Sequence, residues 1–368
     1  MGGVVYIHQQ ILSPHMAGLV AALAATGRDV VYVANMEMYS DRARQGWQVP
    51  DLGAARIEIA PDVETVERVV AAAPDTSVHI CEGIRGNGLV GAAQTAIRAR
   101  GLREWTTMEM LDDQGAKGLL RRLEYRRLFA TRARGLQGVL AIGHPTPEWI
   151  EARGMPHARI YPFLYFLPHR SPTAFTEPGP GPFRLLFAGQ AIPRKRLDTL
   201  IDALALLPHD MDVRLSVLGD GPLLPELRAR AAPHGRVDWL GQVGMGDVPG
   251  HMEGADCLVL PSRHDGFGAV VSEALMAGTP AITSDRCGAS GIALASGEGG
   301  VFPMGNARAL AELLERTIKR GRVDASRRCR LSGWAECLGG EAGARYLTAI
   351  LAHEEGHLPR PRAPWMQE

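Results

Sequence analysis

Short apolar runs alternate with stretches of helical periodicity along most of the chain, and this alternation constrains the fold more than any other feature. Val4–Ile7 is a four-residue apolar run, Met16–Thr26 has helical spacing, and Val30–Ala34 is apolar again. Strand, helix and strand within about thirty residues mark a parallel α/β unit. The alternation returns in Ile57–Ile59, Val63–Ala73, Val78–Cys81, Gly88–Arg100, Trp105–Met108 and Val139–Ile142. Residues 1–168 therefore read as one Rossmann-like domain. From Pro168 to Pro182 the run PHRSPTAFTEPGPGP crowds proline, glycine and serine, which makes 169–182 the expected linker. The pattern restarts with Phe183–Ala188, Leu197–Leu206, Val213–Leu218, Pro222–Ala232 and Val237–Leu240, and later with Ala307–Lys319. A second doubly wound domain is thus expected over 183–333, followed by a helical tail, Trp334–His353, within 334–368. A length of 368 residues suits two such domains with a cleft between them.

Composition removes several function classes. Hydrophobic residues make up 46% and charged residues 22%, the balance of a folded chain. Forty basic and forty acidic side chains cancel, so no global field marks a nucleic-acid binder. No apolar run reaches the ~18 residues of a membrane span. The start, MGGVVYIHQQ, lacks the basic region and long apolar run of a secretory signal. Five cysteines, an odd number without a C-x-x-C pair or zinc spacing, suit a reducing compartment. The expected location is the cytoplasm.

Two loops carry the chemistry. In ADCLVLPSRHDGFGAVVSEALMAGTPAITSD, a strand at Cys257–Leu260 leads to Asp265-Gly266-Phe267-Gly268, and a helix bearing Glu273 then runs to Gly278. Thr279–Ser284 is the next strand. Glycines let backbone approach a ligand, and a helix start offers free N–H groups and a positive dipole end. The result is a phosphate cradle flanked by two carboxylates, Asp265 and Glu273. The other loop follows FRLLFAGQ and holds Arg194-Lys195-Arg196. Loops at the carboxyl ends of parallel strands line the ligand crevice, so both loops are expected at one site. Cations there suit a diphosphate whose charge grows as a bond to it breaks. Alone, the same triplet is a solvated basic turn. A carboxylate suits a vicinal diol, which assigns Glu273 to ribose and Asp265 to the sugar side. The competing reading of Glu273 is a first-turn acid satisfying the helix dipole. Gly219-Asp220-Gly221-Pro222 reads as a tight turn, because Leu224 stands where a dinucleotide fingerprint needs its third glycine.

Together these runs resemble the retaining glycosyltransferases of family 4, whose architecture is GT-B: two Rossmann-like domains facing across a cleft. FAGQAIPRKRLDTLIDAL, SVLGDGP, VDWLGQV, the long segment above and GGVFPMGNARALAELL carry the resemblance, in order, over roughly half of the chain. It implies a C-terminal domain that binds a nucleoside diphosphate sugar, UDP-sugar favoured, and an N-terminal domain that binds a hydroxyl acceptor. That acceptor is a saccharide, a lipid-linked saccharide or a small molecule. The implied reaction is hexosyl transfer with retention, without a metal or other cofactor, the nucleotide sugar serving as co-substrate. The family's paired acids fall on Asp265 and Glu273 and its diphosphate lysine on Lys195. Backbone at Gly189, Gly266, Phe267 and Gly268 would face the donor. Asp265 is one methylene shorter than the usual glutamate. Gln190 stands where many members place arginine, leaving Arg194 as the second cation. A histidine that many members carry at a strand end in the first domain appears here as Glu109, a catalytic candidate, and His15 is the acceptor-side candidate. The helix from Trp334 resembles the family's terminal helix, which crosses back to the first domain. The alternatives are a nucleotide-sugar epimerase, a phosphorylase-like enzyme, or a non-catalytic sugar-nucleotide-binding module.

Three further signals carry less. His353-Glu354-Glu355-Gly356-His357 matches H-E-x-x-H, but Gly356 and Pro359 end the helix a zinc site needs. Asp210-Met211-Asp212 precedes a strand and reads as a turn. The basic helix Arg121–Arg134 leaves two readings: peripheral contact with the inner face of an anionic membrane, or a solvated helix whose Leu123, Tyr125 and Phe129 pack inward.

Overall fold

Parallel strands are covered on both faces, so they run apolar without alternation, and their crossover helices supply the cover. The computed structural model, which describes residues 3–40, 47–168 and 174–367, uses this plan twice. The chain divides into two compact units: Met1–His169 with Cys337–Glu368, and Arg170–Glu336. Residues 169–173 of the expected linker lie outside the described residues.

In the first unit β1 (Val5–Ile11), α1 (Pro14–Ala25), β2 (Val30–Met36) and β3 (Arg56–Ile59) open the chain. They are followed by α2 (Val63–Ala71), β4 (Val78–Glu82), α3 (Gly88–Ala99) and β5 (Arg103–Glu109). Next come α4 (Gly115–Arg132), β6 (Leu136–Ile142), α5 (Thr146–Glu151) and β7 (Ile160–Phe163). The strands form one sheet in the order β3-β2-β1-β4-β5-β6-β7, all parallel. The order reverses between β1 and β4, the place where such sheets open a crevice. β1 runs four residues past the expected Val4–Ile7, because its ladder to β2 continues through Met36. Its polar His8 finds a partner inside the sheet: His8 Nε2 lies 3.0 Å from His79 Nδ1, and His79 Nε2 lies 2.8 Å from Ser77 Oγ.

The second unit holds β8 (Phe183–Ala188), α6 (Leu197–Leu206), β9 (Val213–Leu218), α7 (Leu224–Ala231) and β10 (Val237–Gly241). Then follow α8 (Val248–Gly254), β11 (Cys257–Leu260), α9 (Ala269–Met276), β12 (Ala281–Ser284) and α10 (Ser290–Ala295). β13 (Gly300–Phe302), α11 (Ala307–Lys319) and α12 (Ala325–Trp334) complete it. Its six parallel strands run β10-β9-β8-β11-β12-β13, with the reversal at β8 and β11, which pair through Leu186 and Leu258. The two chemistry-bearing loops follow these two neighbouring strands. Phe187, Leu204, Leu215, Val259, Ile282 and Leu310 form the core beneath them. Fully buried Asp256 accepts from Arg184 N–H at 2.8 Å and Arg322 Nε at 2.9 Å, with Arg328 Nη2 at 3.6 Å, tying β8, β11 and α12 together.

The single tail helix expected at Trp334–His353 is two. α12 ends at Trp334, a 3₁₀ turn spans Ala335–Leu338, and α13 (Gly340–Glu354) packs on α1 in the first unit. The backbone turns extended at Gly339, with φ −83° and ψ 160°, and α13 then starts against α1, where a Cβ on Gly340 would lie 2.1 Å from Gly18 O.

Candidate active site

In the second unit the loop after β8 delivers Lys195 to the loop after β11. Lys195 Nζ donates to Asp265 Oδ2 at 2.6 Å, and Arg194 Nη1 lies 3.4 Å from the same oxygen. Arg194 also donates to His264 O at 3.1 Å, and its own carbonyl accepts from Arg263 N–H at 2.8 Å, so the two loops are bonded along their backbones. Arg196, the third cation, turns away. It sits in the left-handed region at φ 51° and donates to both Asp198 oxygens at 3.0 and 3.1 Å. The Lys195 stem passes beside Gly189, where a Cβ would lie 3.7 Å from Lys195 Cε. Burial on its own would raise the Asp265 carboxyl, but Lys195, then Arg194 and Ser262, hold it below the ordinary carboxylate range. It is ionised at neutral pH.

A neighbouring turn holds the glycine loop in place. Asp265 N–H donates to Arg286 O at 3.2 Å, Gly288 N–H to Asp265 O at 3.0 Å, and Ala289 N–H to Phe267 O at 2.7 Å. A Cβ on Gly288 would meet Gly266 O at 2.1 Å, so only glycine lets the segments close. The Phe267 side chain is buried, and Gly268, at φ 91°, starts α9. The first turn of α9 holds no acid, so Glu273 is not the dipole-satisfying residue of the competing reading; it sits one turn on, half-buried. The Gly219 turn packs against the β8 loop: Ala191 N–H donates to Asp220 O at 2.9 Å, and a Cβ on Gly219 would lie 2.0 Å from Gly189 O. Burial, then Asp265, pushes the Cys287 thiol beneath this loop up to about 12, which leaves it unreactive.

In the first unit the two residues expected from sequence are joined by a third. His15, at the start of α1, stacks on Tyr165 at 5.0 Å between ring centroids, with Trp47 edge-on to His15 at 5.2 Å. The Tyr165 hydroxyl donates to Glu109 Oε1 at 2.6 Å, at the carboxyl end of β5. Burial, then the Glu109 carboxylate, pushes the Tyr165 phenol well above its ordinary range, so it stays a donor. At the end of β1, Gln10 N–H donates to Glu82 at 3.2 Å, and Tyr39 donates to the Gln10 side chain at 2.6 Å. Carboxylates, an amide and aromatic faces thus gather at the strand ends of this unit, a set suited to hydroxyl groups on a ring. Tyr165, Trp47 and Glu82 went unread in the sequence. The available signal was position, since Glu82 closes β4 at the order reversal.

The motifs set aside stay apart from both constellations. His353 lies within α13 with Nδ1 2.9 Å from Leu358 O, Glu354 accepts from Tyr161 at 2.6 Å, and His357 lies beyond the helix end. Asp210 and Asp212 precede β9 and are exposed.

With this geometry in hand, residues 174–331 match the family model described as glycosyl transferases group 1. These residues are a glycosyl transferases group 1 domain. An uncharacterized glycosyltransferase of Methanocaldococcus jannaschii is 31% identical over 119 residues, 32% of each chain. The GDP-mannose-dependent alpha-(1-6)-phosphatidylinositol dimannoside mannosyltransferase of Mycobacterium tuberculosis is 35% identical over 102 residues, 27% of this chain and 26% of that one. The chain thus spans about a third or less of the curated relatives it matches. Over 95% of the chain the fold follows Anabaena HepE solved with UDP, at a TM-score of 0.70 and 16% identity, covering all of that chain. The lipopolysaccharide outer core galactosyltransferase WaaB gives 0.70 at 15% identity, covering 99% of that chain. The architecture around the glycosyl transferases group 1 domain is GT-B, with Lys195, Asp265 and the glycine loop inside the matched segment.

Proposed function

We propose that the chain transfers a hexosyl group from a nucleoside diphosphate sugar to a hydroxyl, holding the donor on the second unit and the acceptor on the first. The Lys195–Asp265 pair carries this reading. It holds an ammonium, with Arg194 beside it, at a strand-order reversal next to a glycine loop and a helix start. These cations and the first N–H groups of α9 would grip the diphosphate. As the anomeric C–O bond breaks, its electron pair leaves on the diphosphate, and Lys195 and Arg194 stabilise that charge in the place of a metal ion. The acceptor oxygen bonds to the anomeric carbon on the departing face, giving retention, and its proton passes to the leaving diphosphate. Asp265 orients Lys195, and Glu273 holds the ribose. Glu109 and Tyr165 would hold the acceptor hydroxyl beside the His15–Trp47 aromatic faces.

A UDP-sugar is the favoured donor, and GDP-mannose, named in the mycobacterial relatives, is its competitor. The five cysteines, all unpaired, agree with a cytoplasmic setting. The test incubates the protein with UDP-, GDP- and ADP-sugars and saccharide or lipid-linked acceptors. Acceptor-dependent release of nucleoside diphosphate, with a product that keeps the donor's anomeric configuration by NMR, is the expected result. No release from any donor, or equal turnover by Lys195→Ala, overturns it. Donor conversion without acceptor would assign an epimerase instead.

A further inference from the structure

α4 has two apolar faces and the fold uses one. Gly118, Tyr125 and Phe129 are buried, with Tyr125 and Phe129 in the core cluster around Val139 and Trp149. Leu119, Leu120 and Leu123 are 53, 69 and 57% exposed. The inward packing expected of Leu123 therefore does not occur: the helix seats Tyr125 and Phe129, and at ~100° per residue Leu123 is carried to the far side. The three leucines span about a third of the helix circumference, opposite the buried face. From Gly115 to Arg134 there are seven cations, Lys117, Arg121, Arg122, Arg126, Arg127, Arg132 and Arg134, against one acid, Glu124. Arg85 holds that acid through two bonds of 2.9 Å. Arg121 and Arg132 donate to the backbone carbonyls of Asp112 and Ile84. Arg122, Arg126 and Arg127 are exposed and make no ion pair among the described residues.

We propose that this face of α4 rests on an anionic lipid surface. Leucines flanked by arginines match the acyl boundary and the phosphate layer above it, and a helix with this pattern lies in the interface plane. Among the described residues no helix is long and apolar enough to cross a membrane, so the contact is peripheral. A second copy of the same face would set cations against cations, which disfavours self-association. The inference is independent of sugar transfer, because the contact is read with no donor or acceptor present.

The test is co-sedimentation of the full chain with vesicles of phosphatidylglycerol and phosphatidylcholine, and with phosphatidylcholine alone. Wild type should pellet only with the anionic vesicles, and less as salt rises. Leu119→Ser/Leu120→Ser/Leu123→Ser should cut the partition about tenfold or more, and Arg122→Glu/Arg126→Glu/Arg127→Glu should remove it. Circular dichroism checks the fold of each variant, and Leu120→Ser alone, at the most exposed leucine, gives a milder second arm with a several-fold loss. Wild type left in the supernatant, equal binding to both vesicle types, or variants that pellet like wild type would overturn the proposal. So would a dimer in sedimentation velocity that the leucine variant converts to monomer, because the face would then belong to a second copy.

Discussion

Lys195 and Asp265 were legible as a pair of opposite charges on two loops, because each lies in a contiguous run with an unambiguous strand before it. Their direct bond was not legible, since it joins residues 70 apart in sequence. Asp265 sits below the ordinary carboxylate value of 3.8, so its stabilising contribution is present above that pH and is lost only as pH falls through the lower folded value. Binding of an intact nucleoside diphosphate sugar, whose diphosphate diester keeps its charge throughout, should therefore stay flat from about pH 5 to 8 by calorimetry; a steep loss near neutral pH would mean a different protein group carries the charge. Tyr165 escaped the sequence reading because β7 is only four residues and contains Pro162. Tyr165→Phe removes the bond to Glu109 and should lower acceptor kcat/KM about tenfold, roughly one net hydrogen bond, with donor binding unchanged. Equal effects on both would make Tyr165 merely structural.

At the scale of elements, α6, β9 and α11 carry the bounds expected from sequence, because each has a full period of apolar residues between breakers. α5, α8, α10 and β13 went unread; none exceeds seven residues, too few for a period to show. The buried polar pairs are likewise products of packing. His8, lowered to about 3 by burial and then by His79, and His79, lowered to about 4 by burial and then by Arg100, are neutral inside the sheet. Both values lie below the ordinary 6.5, so the unfolded chain binds more protons between them. Stability should be full above pH 6.5 and fall by a few kcal/mol towards pH 4, read by urea melts, and His79→Phe should flatten that slope. A slope unchanged in the variant would point to other groups. In the second unit Asp256→Ala takes the carboxylate from half-buried Arg322 and the counter-charge from buried Arg328, and should cost about 3–5 kcal/mol; a loss below about 1 kcal/mol would show the cluster to be expendable.

Over the whole molecule the repeated strand–helix alternation was enough to read two α/β units, because parallel sheets enforce that rhythm along the chain. The tail was less legible, since helical periodicity around Trp334 and Gly340 reads as continuous, while the backbone passes through a 3₁₀ turn and an extended Gly339. The face of α4 was ambiguous for a related reason: apolar residues lie on both sides, and only the packed core decides which leucines remain outside. The donor site condensed to one lysine. The most direct test titrates UDP, GDP and uridine into wild type and Lys195→Ala. The account predicts that the variant binds the preferred nucleoside diphosphate about 10- to 100-fold more weakly, one charge-assisted contact, with nucleoside binding unchanged and the fold intact. Equal diphosphate affinity in the two proteins would contradict it.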